Sequence, residues 1–228
     1  MFGSCKTLEM RKLCYFIWFL AVSLGLVGCK PGTDDTIILF GEETGFKTMQ
    51  DLMSDLSEDQ QNTFLAKLNE ISGNQLTNSE GVIPPDIHGE YKISLKQFVN
   101  SNLDYDFFDD NRDVLLRVFN QQNRLAKVDF YEGGVSRIDD AYVIGNGNRF
   151  TLYFTEERDM VFMGQRYEYE RLIAITGEKA NDGIRNLYFG SVILKVENGL
   201  DPLVGDFEPG WYFIYKDADG LSESGDWF

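Results

Sequence analysis

The chain contains a single histidine, His88, in 228 residues. A Ser-His-Asp device would have to be built on it, because a serine nucleophile needs an imidazole to take its proton. No G-x-S-x-G elbow accompanies it: Gly220-Leu221-Ser222-Glu223-Ser224 lacks the second glycine. A zinc or copper site would need thiolates beside one imidazole. The three cysteines, Cys5, Cys14 and Cys29, all stand within the first 29 residues. His88 is therefore read as a capping or hydrogen-bonding residue near the mouth of a β-barrel. Acids are the next candidates. Asp109, Asn111 and Asp113 alternate as calcium ligands do, but Val114 stands where the tight calcium loop needs glycine. Asp217, Asp219 and Ser222 cluster around Gly220. A hard cation takes six to eight oxygens and each cluster offers fewer, so both read as solvated turns. Paired carboxylates for glycoside hydrolysis can be drawn many ways among 37 acids, which empties that signal. Gly145-Asn146-Gly147 opens like a dinucleotide fingerprint, yet Phe150 occupies the third glycine's place. It also lies between two strand patterns rather than before a helix, so it reads as a hairpin. No cofactor and no catalytic residue is implied.

Aromatic side chains remain. Tyr91, Phe150, Phe154, Trp211, Phe213 and Tyr215 are the candidates for lining a pocket for a small apolar ligand. The plainer reading of each ring is barrel core, and it is the preferred one.

The elements that would hold them follow from periodicity. Met49, Leu52, Met53 and Leu56 recur at helical spacing, and Ser57 with Gln60 has the form of a capping box. Phe64, Leu65, Leu68 and Ile71 then make one apolar stripe, so a helix pair is expected to pack on the main domain. From Gly89 the period becomes two. Tyr91, Ile93 and Leu95 alternate with Lys92, Ser94 and Lys96, and Phe150, Leu152 and Phe154 alternate with Thr151, Tyr153 and Thr155. Turn signals at Asn120–Asn123, Gly133-Gly134, Asn146-Gly147 and Asp182-Gly183 separate neighbouring strands. Gly190 reads as a bend, Trp211 to Lys216 as the last strand, and Asp217 to Phe228 as an acidic tail. Roughly eight strands with no helical crossover must pair antiparallel. The expected fold is mainly β: an antiparallel up-and-down eight-stranded barrel preceded by a short α-helical segment, with a β-sandwich as the alternative.

The amino terminus carries Lys6, Arg11 and Lys12, then an uncharged run from Leu13 to Leu26 that is too short to span a bilayer. Leu26-Val27-Gly28-Cys29 closes it and resembles a bacterial lipobox. That resemblance implies cleavage between Gly28 and Cys29 and lipidation of Cys29. The anchor would be a diacylglyceryl thioether plus an amide-linked acyl chain, enough chains for durable membrane attachment. Lys30, in place of the aspartate that marks inner-membrane retention, implies the outer membrane. The organisation is then a lipoprotein signal peptide at 1–28, a lipidated tether at 29–45, a helical segment and connector at 46–83, and a barrel domain at 84–228. Loss of the leader leaves 200 residues at a net charge of −18, against −16 for the whole chain. Such a chain repels nucleic acid, and a core rather than disulfides must stabilise it.

Ahead of the first strand, Pro84-Pro85-Asp86-Ile87-His88-Gly89-Glu90-Tyr91 resembles the lipocalin opening, in which G-x-W begins strand one. Tyr91 stands in the tryptophan's place. The family's T-D-Y motif is absent, and its late arginine has no evident counterpart. The resemblance implies an interior able to take a small apolar ligand, though small barrels are also filled by side chains. Expected, then, is a non-enzymatic, lipid-anchored envelope protein. It would bind a small apolar ligand or assist an envelope complex. One alternative is a structural interaction module with a filled barrel, and another is a glycan-acting hydrolase.

Overall fold

The computed structural model describes residues 45–73, 76, 83–94, 96–103, 113–162, 165–198 and 208–226. The leader, the Leu26–Cys29 stretch, most of the expected tether and residues Asp109 and Asn111 lie outside them.

Two helices come first, α1 (Met49–Leu52) and α2 (Glu58–Ile71). Both start with complete capping boxes. Thr48 and Asp51 satisfy each other's backbone N–H groups at α1, and Ser57 and Gln60 do so at α2. Gln60 also donates from Nε2 to the Pro209 carbonyl at 2.9 Å, which ties the helix start to the loop before the last strands.

Ten strands follow: β1 (Gly89–Ile93), β2 (Lys96–Ser101), β3 (Val114–Gln122), β4 (Leu125–Tyr131), β5 (Val135–Asn146), β6 (Arg149–Phe162), β7 (Gln165–Ala180), β8 (Gly183–Asn198), β9 (Tyr212–Asp217) and β10 (Leu221–Ser224). All pair antiparallel in one sheet. Its order is β10-β1-β3-β4-β5-β6-β7-β8-β9-β2, and a further β10–β8 pairing closes a ring of eight strands. The sheet is therefore a barrel and not a two-sheet sandwich. β1 and β2 are two lengths of one interrupted path, as are β9 and β10, and β2–β9 continues the closure that β1–β10 begins.

Three sequence expectations change. The tail supplies β10, which closes the ring against β1 and β8. Its Ser222 is buried and bonded to Asp217, and Leu221 is half-buried, so the segment is packed despite its acids. The β5–β6 turn is Gly147-Asn148, one residue later than Asn146-Gly147, with Gly147 at φ 64°. Lys96 is not on a wet face. β1 ends at Ile93 and β2 restarts at Lys96, so the alternation changes phase and Lys96 enters the interior at 3% exposure.

The ring separates two cores. Inside lie Tyr91, Leu116, Val128, Phe130, Phe150, Leu152, Phe154, Ile173, Phe189 and Tyr215 with their neighbours. Outside, Met53, Phe64 and Leu68 of the helical segment cover Tyr142, Tyr153, Leu172, Ala174, Val192, Tyr212 and Ile214. The helix pair thus packs on the main domain, and Gly190 acquires a reason other than a bend. A Cβ there would sit 3.1 Å from Leu68 and 3.2 Å from Phe64, so glycine is what lets α2 lie directly on β8.

Candidate functional site

The inward row of β6 runs Phe150, Leu152, Phe154 and then turns charged at Glu156 and Arg158. The inward row of β7 passes from Ile175 and Ile173 to Arg171 and Tyr169. Period two carries both rows on the same face. Glu132 at the β4–β5 turn, Ser136 on β5 and Lys96 on β2 reach the same region. Together they form an ion network across the interior, at the end opposite the start of β1.

Arg171 is its hub. Its Nε and Nη2 donate to Glu156 Oε2 at 2.8 and 2.6 Å, and Nη2 donates to Glu132 Oε2 at 2.7 Å. Lys96 donates to Glu132 Oε1, and Ser136 to Glu156 Oε1. Arg158 bonds Glu156 Oε1 at 3.2 Å and the Glu132 carbonyl at 2.6 Å, stapling the β4–β5 turn to β6. The Lys96 ammonium also lies 4.7 Å from the centre of the Tyr215 ring, which joins the network to the apolar core below. Burial alone would raise Glu132, but Arg171 and Lys96 outweigh it and hold the carboxyl below its ordinary range. Arg171, fully enclosed, is raised by the two carboxylates. Burial also pushes the Tyr169 phenol upward. Chemically this is a cross-barrel strut. A glycosidase acid needs a carboxyl kept protonated near neutral pH, and Arg171 does the opposite to Glu132.

The candidate pocket residues divide. Tyr91, Phe150, Phe154, Phe213 and Tyr215 all belong to the buried interior cluster. Phe154 meets Phe130 at 5.6 Å, Phe130 meets Phe189 at 5.8 Å, and Phe189 stacks on Tyr215 at 5.8 Å. These contacts make one continuous run of rings through the interior. Trp211 stands apart, half-buried, one residue before β9. Tyr91 lies where β1 begins. Its hydroxyl donates to the Ile87 carbonyl at 2.9 Å and accepts from Lys179 Nζ at 2.7 Å, and burial pushes its pKa up to about 12. Gly89, at φ 149°, must lack a side chain because a Cβ would meet that hydroxyl at 2.9 Å. Gly28 and Cys29 lie outside the described residues.

His88 is exposed. Its backbone N–H donates to Asp86 Oδ1 at 2.9 Å, an Asx turn leading into β1. Asp113 pairs with Lys92 at 2.8 Å. Asp219 Oδ1 accepts from the Leu221 N–H at 3.1 Å and Asp217 Oδ2 accepts from Ser222 Oγ at 2.6 Å, so the second acidic cluster is an internally bonded turn.

Asp217 has a measurable consequence. Burial, with the charge of Asp219, pushes its pKa from 3.8 up to about 6. A carboxyl raised on folding favours the folded state only while protonated. Its contribution is complete below about pH 4 and is lost as pH rises through about 6. Asp217→Asn should therefore gain thermal stability over the parent at pH 7.5 and little or nothing at pH 4. Parallel pH profiles of melting temperature for the two proteins would remove Asp217 as the source.

The ion network escapes sequence reading because each member sits at the charged end of an apolar row. The available signal is period two itself: Glu156 and Arg158 extend the Phe150–Phe154 row, and Arg171 extends the Ile173–Ile175 row. No family model, no curated protein and no solved structure matches the chain.

Proposed function

We propose that the chain is a lipid-anchored, non-enzymatic accessory protein of the cell envelope. In this reading the barrel is a filled scaffold and its exterior is the working surface. One observation carries the choice between a hollow and a filled barrel. Five of the six candidate pocket residues are packed into the interior cluster, where aromatic rings meet at 5.6 to 5.8 Å. The Arg171 network lies across the interior beside them. The envelope address rests on the Leu26-Val27-Gly28-Cys29 pattern and the basic, then apolar, leader ahead of it.

Two measurements test the two halves. Cells expressing the chain and fed radiolabelled palmitate should label the parent and not Cys29→Ala, and the variant should leave the membrane fraction. Equal labelling of both would end the lipoprotein reading. Titration with cis-parinaric acid should give no saturable signal. One-to-one saturation weakened by filling the interior further, as in Ile173→Phe, would restore the apolar-ligand reading.

A further inference from the structure

The outer face of the ring is not uniform. Where β5 to β9 turn outward, helices cover them. Across β1, β3, β4 and the first half of β5 lies an open groove of about 560 Å³. Its floor is one cross-strand row of alternating charge. Glu90 stands opposite Arg117, Arg117 opposite Asp129, and Asp129 opposite Arg137. Lys127 and Asp139 form a second pair beside it. Arg117 Nε donates to Glu90 at 2.6 Å, and Arg137 Nε donates to Asp129 Oδ1 at 3.0 Å. Asp129, 3% exposed, is gripped by both arginines and fixes them. Arg137 spends only its Nε on that contact, and its side chain is 74% exposed. Phe119 and His88 line the same groove.

Three cations and three anions cancel here, on a chain whose net charge is −16. An ion of either sign finds no net attraction. A ligand bearing many hydroxyl groups finds fixed donors and acceptors side by side. The exposed Arg137 can donate to one hydroxyl and the exposed Asp139 can accept from its neighbour, and these charge-assisted bonds are the strong kind. The groups are already held by one another, so binding orders little. Phe119 offers an apolar surface for the C–H face of a pyranose ring. The volume lies within the range of small-molecule clefts and suits two or three sugar units.

We infer that this groove is a binding site for a neutral oligosaccharide, with Arg137 and Asp139 as its exposed contacts and Phe119 as its apolar wall. The inference rests on the reading that the exterior is the working surface, and it does not depend on the anchor. Failure of palmitate labelling would leave sugar binding intact, and absence of sugar binding would leave the anchor intact.

The test uses the full chain in detergent and isothermal titration with maltotriose, cellotriose, chitotriose and xylotriose. Heparin tetrasaccharide serves as a charged control. At least one neutral trisaccharide should bind at submillimolar to millimolar affinity. Arg137→Gln and Asp139→Asn, both at exposed positions, should each weaken it by about tenfold, the loss of a hydrogen bond to a charged group. Affinity should hold steady between about 0.05 and 0.5 M sodium chloride, since no net charge drives it. Binding of none of the neutral sugars would overturn the inference. So would binding unchanged in both variants, or binding confined to heparin and abolished by salt. Asp139→Asn, whose partner Lys127 is itself exposed, should leave the melting curve unchanged, which keeps a lost signal from being ascribed to unfolding.

Discussion

Arg171→Met should cost about 3–5 kcal/mol in urea unfolding at pH 7, because it leaves two buried carboxylates compensated only by Lys96 on Glu132 and by Arg158 and Ser136 on Glu156. Arg171 bridges the carboxylates of Glu132 and Glu156, and all three residues are enclosed. The loss should shrink as pH falls. In the parent, Glu132 is held below its ordinary range, so its contribution is present above that range and fades as acid protonates it. In the variant the orphaned carboxyls can take up protons, so acid relieves rather than deepens the defect. Neutralising the buried set, with Lys96→Met, Glu132→Gln and Glu156→Gln added to Arg171→Met, should recover most of the stability, since well-packed neutral replacements of buried ions are often neutral or better. A single-variant loss below about 1 kcal/mol, the range of exposed pairs, would mean that water reaches the network and that it is not the strut described.

The second large effect lies one layer below and reverses an expectation drawn from alternation. Phe154→Ala should cost about 3–5 kcal/mol, the usual range for emptying a packed aromatic site. Phe154 is fully buried and meets Phe130 at 5.6 Å. Tyr153, on the opposite face of β6, reads from the sequence as the harmless neighbour. In the structure it is 1% exposed, stacks on Tyr142 at 5.5 Å, and donates from its hydroxyl to the Lys47 carbonyl at 2.8 Å. Tyr153→Ala should therefore cost a comparable amount. Tyr153→Phe should cost only about 1 kcal/mol, one hydrogen bond. Measured unfolding free energies of the three variants separate the readings. A small loss for Tyr153→Ala alongside a large one for Phe154→Ala would mean that the helical segment does not cover β6 in solution.

That pair shows what sequence patterning can carry. Alternation at Phe150, Leu152 and Phe154 identifies the inward face correctly, because the pleat sends every second side chain to one side. Alternation does not say whether the other side is wet. Tyr153 and Tyr142 face outward into a second core, built by residues about 90 positions earlier in the chain. The helix pair itself is legible from the Ser57–Gln60 box and the Phe64–Leu68 stripe. Its docking surface on β8 is marked only by Gly190, which as a lone glycine has several readings. The phase change between β1 and β2 hides Lys96, since a broken strand defeats a period of two. The ion network and the outer charge row are both cross-strand objects. Glu90, Arg117, Asp129 and Arg137 are neighbours only through register, which no local window contains.

Closure of the ring by β10 against β1 sets the order of events during folding. Tyr91 meets Ser224, so the two ends of the barrel sequence must both be available before the last hydrogen-bonded ladder forms. Hairpins from β3 to β8 are local and can assemble early, while the closing contact spans nearly the whole domain and is the slow kind. Until it forms, β1 and β8 keep unpaired edges, which are templates for pairing with other chains. A nascent chain on which β9 and β10 have not yet been made holds an open, curled sheet, because the closing pairs β2–β9 and β1–β10 both wait for them. The interval between making β8 and pairing β9 and β10 is thus when this protein is most vulnerable to aggregation and to capture by chaperones.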